Sequence, residues 1–195
     1  MRITRERSVA VLVDIQQRLF PHMQNRDQLE RSCVKLIRGL KILGIPIIQT
    51  QQYTRGLGAT IPSIEEALRE KATDVPEDRL VTGPLEKTAF SCMGCAPFKD
   101  ALEQRRREIV LLLGIEAHVC VLQTALDLGE AGYLPVVVED CTSSRFENDG
   151  RIALMRMGQE GIRLTTVESV LFELTRDAGA KEFKTISALV KETGA

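Results

Sequence analysis

Two residues of the chain have types and positions that suit nucleophilic chemistry. Cys120 lies about one turn into a predicted helix that follows a buried strand, near unpaired backbone N–H groups and the positive end of the helix dipole. Both features favour a thiolate, and the same N–H groups could hold an oxyanion. Asp14 ends an apolar strand, where a buried carboxylate needs a partner. The alternatives are a packed core thiol for Cys120 and a helix N-cap for Asp14.

The remaining cysteines raise a separate possibility. The chain has five cysteines, an odd number. We expect reduced thiols in a cytoplasmic protein, because no apolar segment follows the basic N-terminal residues as it would in a signal peptide. Cys92 and Cys95 form a C-x-x-C motif, but no second pair completes a zinc site. We interpret them as packed thiols, with redox chemistry as the alternative.

Composition excludes several classes of protein. The 195 residues predict one domain over 1–195, and 44% apolar with 27% charged residues is typical of a globular protein. The net charge of −1 indicates no basic field that would gather nucleic acid. The longest apolar runs are far too short to span a membrane. We therefore expect neither a nucleic acid nor a membrane partner.

Short apolar, β-branched runs alternate with longer amphipathic segments, which predicts a parallel sheet covered by helices on both faces. Right-handed crossovers favour a three-layer α/β/α sandwich, with a six-stranded parallel sheet in the Rossmann-like order 3-2-1-4-5-6. That order brings Asp14 beside the segment that leads to Cys120, where open sheets bind ligands. The predicted strands are 8–13, 45–50, 79–82, 108–113, 133–139 and 162–165, and the predicted helices are 27–43, 97–107, 117–130, 148–159, 168–174 and 181–191.

Several common motifs are missing from the sequence. The first strand is followed by Asp14-Ile-Gln-Gln-Arg, without the glycines of a dinucleotide-binding turn. The chain has neither a P-loop nor a Gly-x-Ser-x-Gly elbow. Only two histidines, His22 and His118, are present, which leaves little room for a histidine-based metal site or triad. His118 is a rival base, but its position in the turn points it away from Cys120.

Three segments resemble the signature segments of the isochorismatase-like cysteine hydrolases, in the order Asp, Lys, Cys. The resemblance covers essentially the whole chain and is strongest to the branch of isochorismatase-domain-containing proteins. The signature segments are Val13-Asp14-Ile15-Gln16, Glu86-Lys87-Thr88-Ala89-Phe90-Ser91 and Gly114-Ile115-Glu116-Ala117-His118-Val119-Cys120-Val121, and further agreement lies in Thr50-Gln-Gln-Tyr53, Arg55-Gly-Leu-Gly58 and Val138-Glu-Asp-Cys-Thr-Ser-Ser-Arg145.

The resemblance implies a catalytic triad. Asp14 would accept the thiol proton of Cys120, and Lys87 would hold both charges in place; the alternative for Lys87 is a solvated surface lysine. A cis peptide between Ile115 and Glu116 would turn an N–H group inward, and the N–H groups of Cys120 and Glu116 would stabilise the oxyanion. From their places beside the signature segments, the candidate substrate-binding residues are Gln16, Phe20, Tyr53 and Phe90.

Departures from the family narrow the expected chemistry. Nicotinamidases carry an Asp-x-His metal motif after the second strand, whereas this chain reads Thr50-Gln-Gln-Tyr-Thr-Arg55. We therefore expect no metal and no other cofactor. Enzymes that cleave isochorismate lack the nucleophilic cysteine, so Cys120 favours amide or other acyl hydrolysis of a small molecule. The alternatives are a non-catalytic scaffold or binding protein and a thiol redox protein.

We also expect a homo-oligomer, at least a dimer. The family resemblance supplies part of this expectation, and an apolar stripe at helical spacing near the C-terminus supplies the rest. The alternative is that the stripe packs on its own sheet, as such stripes commonly do. The stripe consists of Phe183, Ile186, Leu189 and Val190.

Overall fold

The chain folds around a six-stranded, all-parallel sheet with the strand order β3-β2-β1-β4-β5-β6. The structure is a computed structural model that describes residues 1–71 and 80–192. The predicted fold class and strand order are confirmed. The strands are β1 (Ser8–Val13), β2 (Ile47–Gln52), β3 (Val81–Lys87), β4 (Ile109–Ile115), β5 (Leu134–Ser143) and β6 (Arg163–Thr165).

Helices cover both faces of the sheet and complete the three layers. One layer contains α1 (Arg26–Ile42), α3 (Pro62–Arg69), α7 (Val167–Thr175) and α8 (Phe183–Lys191). The other layer contains α4 (Ala96–Arg105), α5 (Leu122–Glu130) and α6 (Glu147–Gln159). A short helix α2 (Thr54–Leu57), 3-10 turns at Arg5–Arg7, Phe20–His22 and Cys92–Gly94, and one π-helical turn at Ala117–Val121 complete the described elements.

Side chains along β1 alternate between the two faces of the sheet, so this strand contributes to the hydrophobic core on each face. Val9, Val11 and Val13 pack with the α4–α6 layer, whereas Ala10 and Leu12 pack with the α1 layer. Every residue of β1 and β4 is buried, which accounts for the continuous apolar runs that marked them as strands. The two central strands therefore form a rigid base for the residues that follow them.

Four strands, β2 to β5, extend further at their carboxyl ends than the sequence predicted, and β3 and β5 do so by the most. The predicted strand 79–82 proves to be Val81–Lys87, and Arg79 lies outside the described residues. Its interior contains Gly83 and Pro84, residues that weaken a strand pattern but are tolerated at a sheet edge. The fifth strand continues past the predicted end at residue 139 to Ser143, after an irregularity in its pairing with β4. Lys87 consequently ends a strand.

The helices also differ from prediction. The predicted helix 117–130 begins with the π-helical turn, so that α5 starts only at Leu122. Helices α2 and α3 were not predicted. The C-terminal stripe packs on its own chain: Ile186 and Leu189 are buried in the core, and Phe183 contacts Phe172 with ring centroids 6.3 Å apart. The stripe therefore packs mainly on its own chain, and only Phe183 and Val190 are partly exposed. No helix within the described part of the chain is both long and apolar enough to cross a membrane.

Gly114 allows β1 and β4 to approach closely where the site begins. It pairs with Val13, and its φ of +128° is a conformation that side-chain-bearing residues rarely adopt. A Cβ at this position would overlap the carbonyl oxygen of Val13. Glycine is thus required by both conformation and space.

We expect Gly114→Ala to lower the free energy of unfolding by about 2–4 kcal/mol, because backbone strain and overpacking add. The matched control is Gly129→Ala in α5, where a Cβ meets nothing within 4 Å. That change should stabilise the helix by about 0.5–1 kcal/mol. Urea unfolding of both variants is the measurement, and equal stability of the two would contradict this account of Gly114.

Candidate active site

Asp14 is the first residue after β1 and lies at the carboxyl edge of the sheet, completely buried. Its φ of 50° turns the chain sharply at the end of the strand. Oδ2 accepts a hydrogen bond of 2.6 Å from Nζ of Lys87, and Oδ1 accepts one of 2.8 Å from Oγ1 of Thr50. Because both carboxylate oxygens bind side chains of β2 and β3, Asp14 is not the helix cap that the sequence left open.

Lys87 is buried, which excludes the surface lysine considered from the sequence. Besides Asp14, its ammonium donates to Oε1 of Gln52 at 2.7 Å and to the carbonyls of Phe90 at 2.9 Å and Ala89 at 3.2 Å. Burial opposes the charge, but the carboxylate of Asp14, which also accepts a hydrogen bond from the ammonium, favours it, and the pKa of Lys87 is raised above its ordinary value. Lys87 is therefore a charged ammonium.

Cys120 lies in the π-helical turn rather than in a regular α-helix, and its side chain is buried. Burial raises the pKa of the Cys120 thiol to about 12, and the nearby carboxylate of Asp14 adds to the rise while Lys87 opposes it. The sequence predicted a thiolate favoured by the helix dipole and Lys87, and that prediction is wrong for the resting site. Cys120 rests as a thiol beside a carboxylate that can accept its proton.

Cys92 is a second thiol at the site, a position that the C-x-x-C pattern did not reveal. Its Sγ lies 3.8 Å from Oγ1 of Thr50, and its backbone N–H donates to Oγ1 of Thr124 at 2.9 Å. Burial and the charge of Asp14 raise the pKa of Cys92 to about 11. Cys95 contacts the carbonyl of Glu86 instead, and all five cysteines are free.

The peptide bond between Ile115 and Glu116 is cis and leads directly into the turn that carries Cys120. The carboxylate of Glu116 accepts hydrogen bonds from the guanidinium of Arg145, at 2.6 Å from Nη2 and 3.0 Å from Nε. Nδ1 of His118 lies 2.9 Å from Oγ of Ser144. Glu116 is thus anchored to the end of β5, and the imidazole of His118 faces the same segment, which weakens the case for His118 as a base.

The four candidate substrate-binding residues occupy different environments. Gln16 is completely buried, and its amide hydrogen-bonds with the backbone of Gln52 and Gly58. Phe20 is packed in the core beside α1. Tyr53 and Phe90, by contrast, are 52% and 54% exposed and flank Lys87: Tyr53 donates its N–H to the Lys87 carbonyl, and the carbonyl of Phe90 accepts from the ammonium. The geometry favours Tyr53 and Phe90 as substrate contacts and a supporting role for Gln16.

The site contains two polar residues that the sequence did not single out, Thr50 and Gln52. Both lie in β2, whose Gln-rich carboxyl end resembles a solvated segment when only the sequence is considered. Their contacts with Asp14 and Lys87 join residues 35 or 36 positions apart, so no local pattern could have identified them. Within residues 1–71 and 80–192, no group of three or more His, Cys, Asp or Glu side chains is arranged to hold a metal ion.

A model of the isochorismatase domain matches residues 8–169 of the chain. The chain belongs to the isochorismatase family. Isochorismatase domain-containing protein 2A of Mus musculus is 36% identical over 192 residues, which cover 98% of this chain and 86% of the mouse protein. The match to the family therefore includes the segments that contain Asp14, Lys87 and Cys120.

Solved structures agree with this assignment. The MAR1 ribonuclease of Caenorhabditis elegans superposes with a TM-score of 0.88 at 34% identity, over 100% of this chain and 95% of that one. Nicotinamidase PncA of Bacillus subtilis superposes with a TM-score of 0.70 at 15% identity, over 82% of this chain and 99% of that one, a likeness of fold alone. The sheet and its helices are therefore those of isochorismatase-fold proteins.

We expect alkylation of Cys120 by iodoacetamide to accelerate about tenfold per pH unit from pH 7 to pH 10 without a plateau, because the pKa of about 12 keeps the thiolate fraction small throughout. Peptide mapping by mass spectrometry gives the rate at this residue, with Cys120→Ser as the control for labelling elsewhere. A plateau near neutral pH would instead demonstrate the resting thiolate that the sequence predicted.

Proposed function

We propose that the chain is a metal-independent cysteine hydrolase that cleaves a small-molecule amide or a related acyl compound. Cys120 is the nucleophile, Asp14 the base, and Lys87 the cation that pairs with Asp14. The observation that carries the proposal is the buried ion pair of Asp14 and Lys87, 2.6 Å long, together with the buried Cys120 thiol, whose pKa is affected by both charges. A nucleophile, a base and an orienting group in mutual contact are what covalent catalysis requires.

Acylation begins when the thiol of Cys120 transfers its proton to Asp14 as sulfur attacks the substrate carbonyl carbon. The resulting tetrahedral oxyanion accepts hydrogen bonds from the backbone N–H groups of Cys120 and Glu116. Collapse of this intermediate breaks the C–N bond, and Asp14 returns the proton to the departing amine. The product of this half-reaction is a thioester on Cys120.

Deacylation uses the same base a second time. Asp14 removes a proton from a water molecule, which attacks the thioester carbonyl and releases the carboxylic acid as the Cys120 thiol is restored. The raised pKa of Cys120 suits this cycle, because the proton moves to Asp14 only as the carbon–sulfur bond forms. Lys87 donates every N–H to protein acceptors and acts on Asp14 rather than on the substrate.

Exposed apolar residues are the candidates for contacts with the substrate and with other copies of the chain. Tyr53 and Phe90 are the exposed aromatic residues nearest to Lys87, and they would contact the acyl group. A homo-oligomer stays part of the proposal on family resemblance, although Ile186 and Leu189 of the C-terminal stripe are buried within the chain. Phe146, Ile152 and Met155, the residue before α6 and two residues within it, are exposed apolar candidates for that interface. A cytoplasmic location also stays a prediction.

Hydrolysis of RNA is the second candidate function, because the C. elegans relative bears the name of a ribonuclease. The net charge of −1 provides little attraction for a phosphate backbone, and the ammonium of Lys87 is occupied by protein acceptors. These observations favour acyl chemistry. Binding without catalysis and thiol redox chemistry, the alternatives left by the sequence, predict no turnover of either substrate class.

The test of the proposal is a panel of primary amides, ureido acids and small esters, with an RNA oligonucleotide included. We expect wild-type protein to hydrolyse at least one acyl compound and not the RNA. Cys120→Ala should fold normally and lose all of that activity, because only the sulfur is removed. Activity of Cys120→Ala near the wild-type level would refute the mechanism, and cleavage of RNA alone would favour the second candidate.

The Asp14→Asn variant separates the role of Asp14 in catalysis from its role in stability. Its activity should fall by about 10²–10⁴-fold, because asparagine cannot take a proton. The variant should also lose about 3–5 kcal/mol of stability, because the buried ammonium of Lys87 would be left without its ion-pair partner. Adding Lys87→Met should recover part of that stability without restoring activity. Urea unfolding and the acyl assay measure both effects, and an active Asp14→Asn variant would remove Asp14 from the mechanism.

Metal independence is tested by treating the protein with EDTA and dialysing it before the acyl assay. We expect the rate to stay within about twofold of the untreated protein, since every proposed step uses side chains and backbone alone. The control is a parallel sample that is resupplied with zinc after dialysis. A loss of activity that zinc reverses would show that a metal takes part.

A further inference from the structure

Gln52 is the partner of Lys87 to which the proposed mechanism gives no role. It is the last residue of β2, directly opposite Lys87 at the end of β3 in the parallel pairing. Its Oε1 lies 2.7 Å from the Lys87 ammonium, almost as close as Oδ2 of Asp14 at 2.6 Å. The nearest side-chain acceptors of the buried cation are therefore one carboxylate and one neutral amide.

The chemistry of its partners determines the orientation of the Gln52 amide. Lys87 can only donate, so the oxygen of the amide must face it. The nitrogen of the amide donates to the carbonyl of Thr88 at 2.7 Å, and a carbonyl can only accept. The amide therefore points its oxygen at the ammonium in every arrangement that satisfies both neighbours.

The backbone of Gln52 is held by Gln16, two residues after Asp14. Oε1 of Gln16 accepts the Gln52 N–H at 2.8 Å, and Nε2 of Gln16 donates to the Gln52 carbonyl at 3.0 Å. The segment after β1 thus holds Lys87 twice, directly through Asp14 and indirectly from Gln16 through Gln52. Gln16 is fully buried, and these backbone contacts satisfy its amide.

We propose that Gln52 is a positioning residue that holds the Lys87 ammonium against Asp14 without adding charge to the site. The inference rests on the proposed function, since it assigns Gln52 a part in that mechanism. Asp14, Cys92 and Cys120 are the acidic groups that act on Lys87. A second carboxylate at position 52 would compete with Asp14 for one cation and oppose ionisation of Cys120. A neutral acceptor of the same shape avoids both effects.

The first arm of the test changes charge at constant shape. Gln52→Glu should slow the alkylation of Cys120 by iodoacetamide about tenfold between pH 7.5 and 9.5, which corresponds to one pH unit of thiol ionisation. The matched control is Gln17→Glu, which adds the same charge at an exposed position in the segment after β1 and should leave the rate unchanged. A variant whose site is merely loosened would expose Cys120 and react faster. Equal rates for Gln52→Glu and wild type would overturn the proposal.

The second arm asks whether Gln52 acts through Lys87. Gln52→Met removes the acceptor and should slow alkylation of Cys120 about threefold or more when Lys87 is present. In the Lys87→Met background the same change should have no effect, because Gln52 acts only by positioning Lys87. An equal effect in both backgrounds would overturn the proposal. If Lys87→Met alone alkylates as wild type does, the assigned role of Lys87 fails first, and with it the proposed function. Should the Lys87 variant not fold, the comparison of Gln52→Glu with Gln17→Glu decides alone.

Discussion

The ion pair between Asp14 and Lys87 is the interaction on which the arrangement of the site depends. Two opposite charges removed from water cost several kcal/mol each unless close contact and further hydrogen bonds compensate. Here the contact is 2.6 Å, the second carboxylate oxygen is bound by Thr50, and the ammonium has Gln52 and two carbonyls as additional acceptors. Every one of these groups lies at the carboxyl edge of β1, β2 or β3 or in the segment that follows. The parallel sheet therefore assembles the charged centre before any substrate binds.

The same interaction explains why a nucleophile can rest as a thiol. A carboxylate beside Cys120 disfavours a second negative charge, and burial disfavours it further, so the pKa rises to about 12. A helix terminus and a lysine, considered without that carboxylate, lead to the opposite expectation. The difference lies in which charge is nearest: Lys87 contributes its attraction, but burial and Asp14 together exceed it. The proposed mechanism therefore requires no preformed thiolate, because Cys120 would pass its proton to Asp14 as its sulfur attacks.

The sequence predicted the sheet, its strand order and the neighbourhood of Asp14 and Cys120, because these follow from local apolar runs and from the handedness of crossovers. Lys87 was placed by resemblance, since β3 has Gly83 and Pro84 where a strand pattern should continue. Thr50 and Gln52 were missed as site residues for another reason. Their partners lie on neighbouring strands, and a polar side chain gives no sequence signal of which distant group it will bind. The start of α5 was misplaced because a π-helical turn and a regular first turn share the same apolar spacing.

The buried and the exposed residues of the site differ in how freely their side chains can change. The charged centre is buried, and each of its side chains is tied to another strand, so a substitution there disturbs several contacts at once. Tyr53 and Phe90 differ in this respect, because their side chains are exposed while only their backbone atoms contact Lys87. Their side chains can therefore change without loss of the hydrogen bonds that hold the cation. Under the proposed function, substrate preference can thus vary at Tyr53 and Phe90 while Asp14, Lys87 and Cys120 keep their geometry.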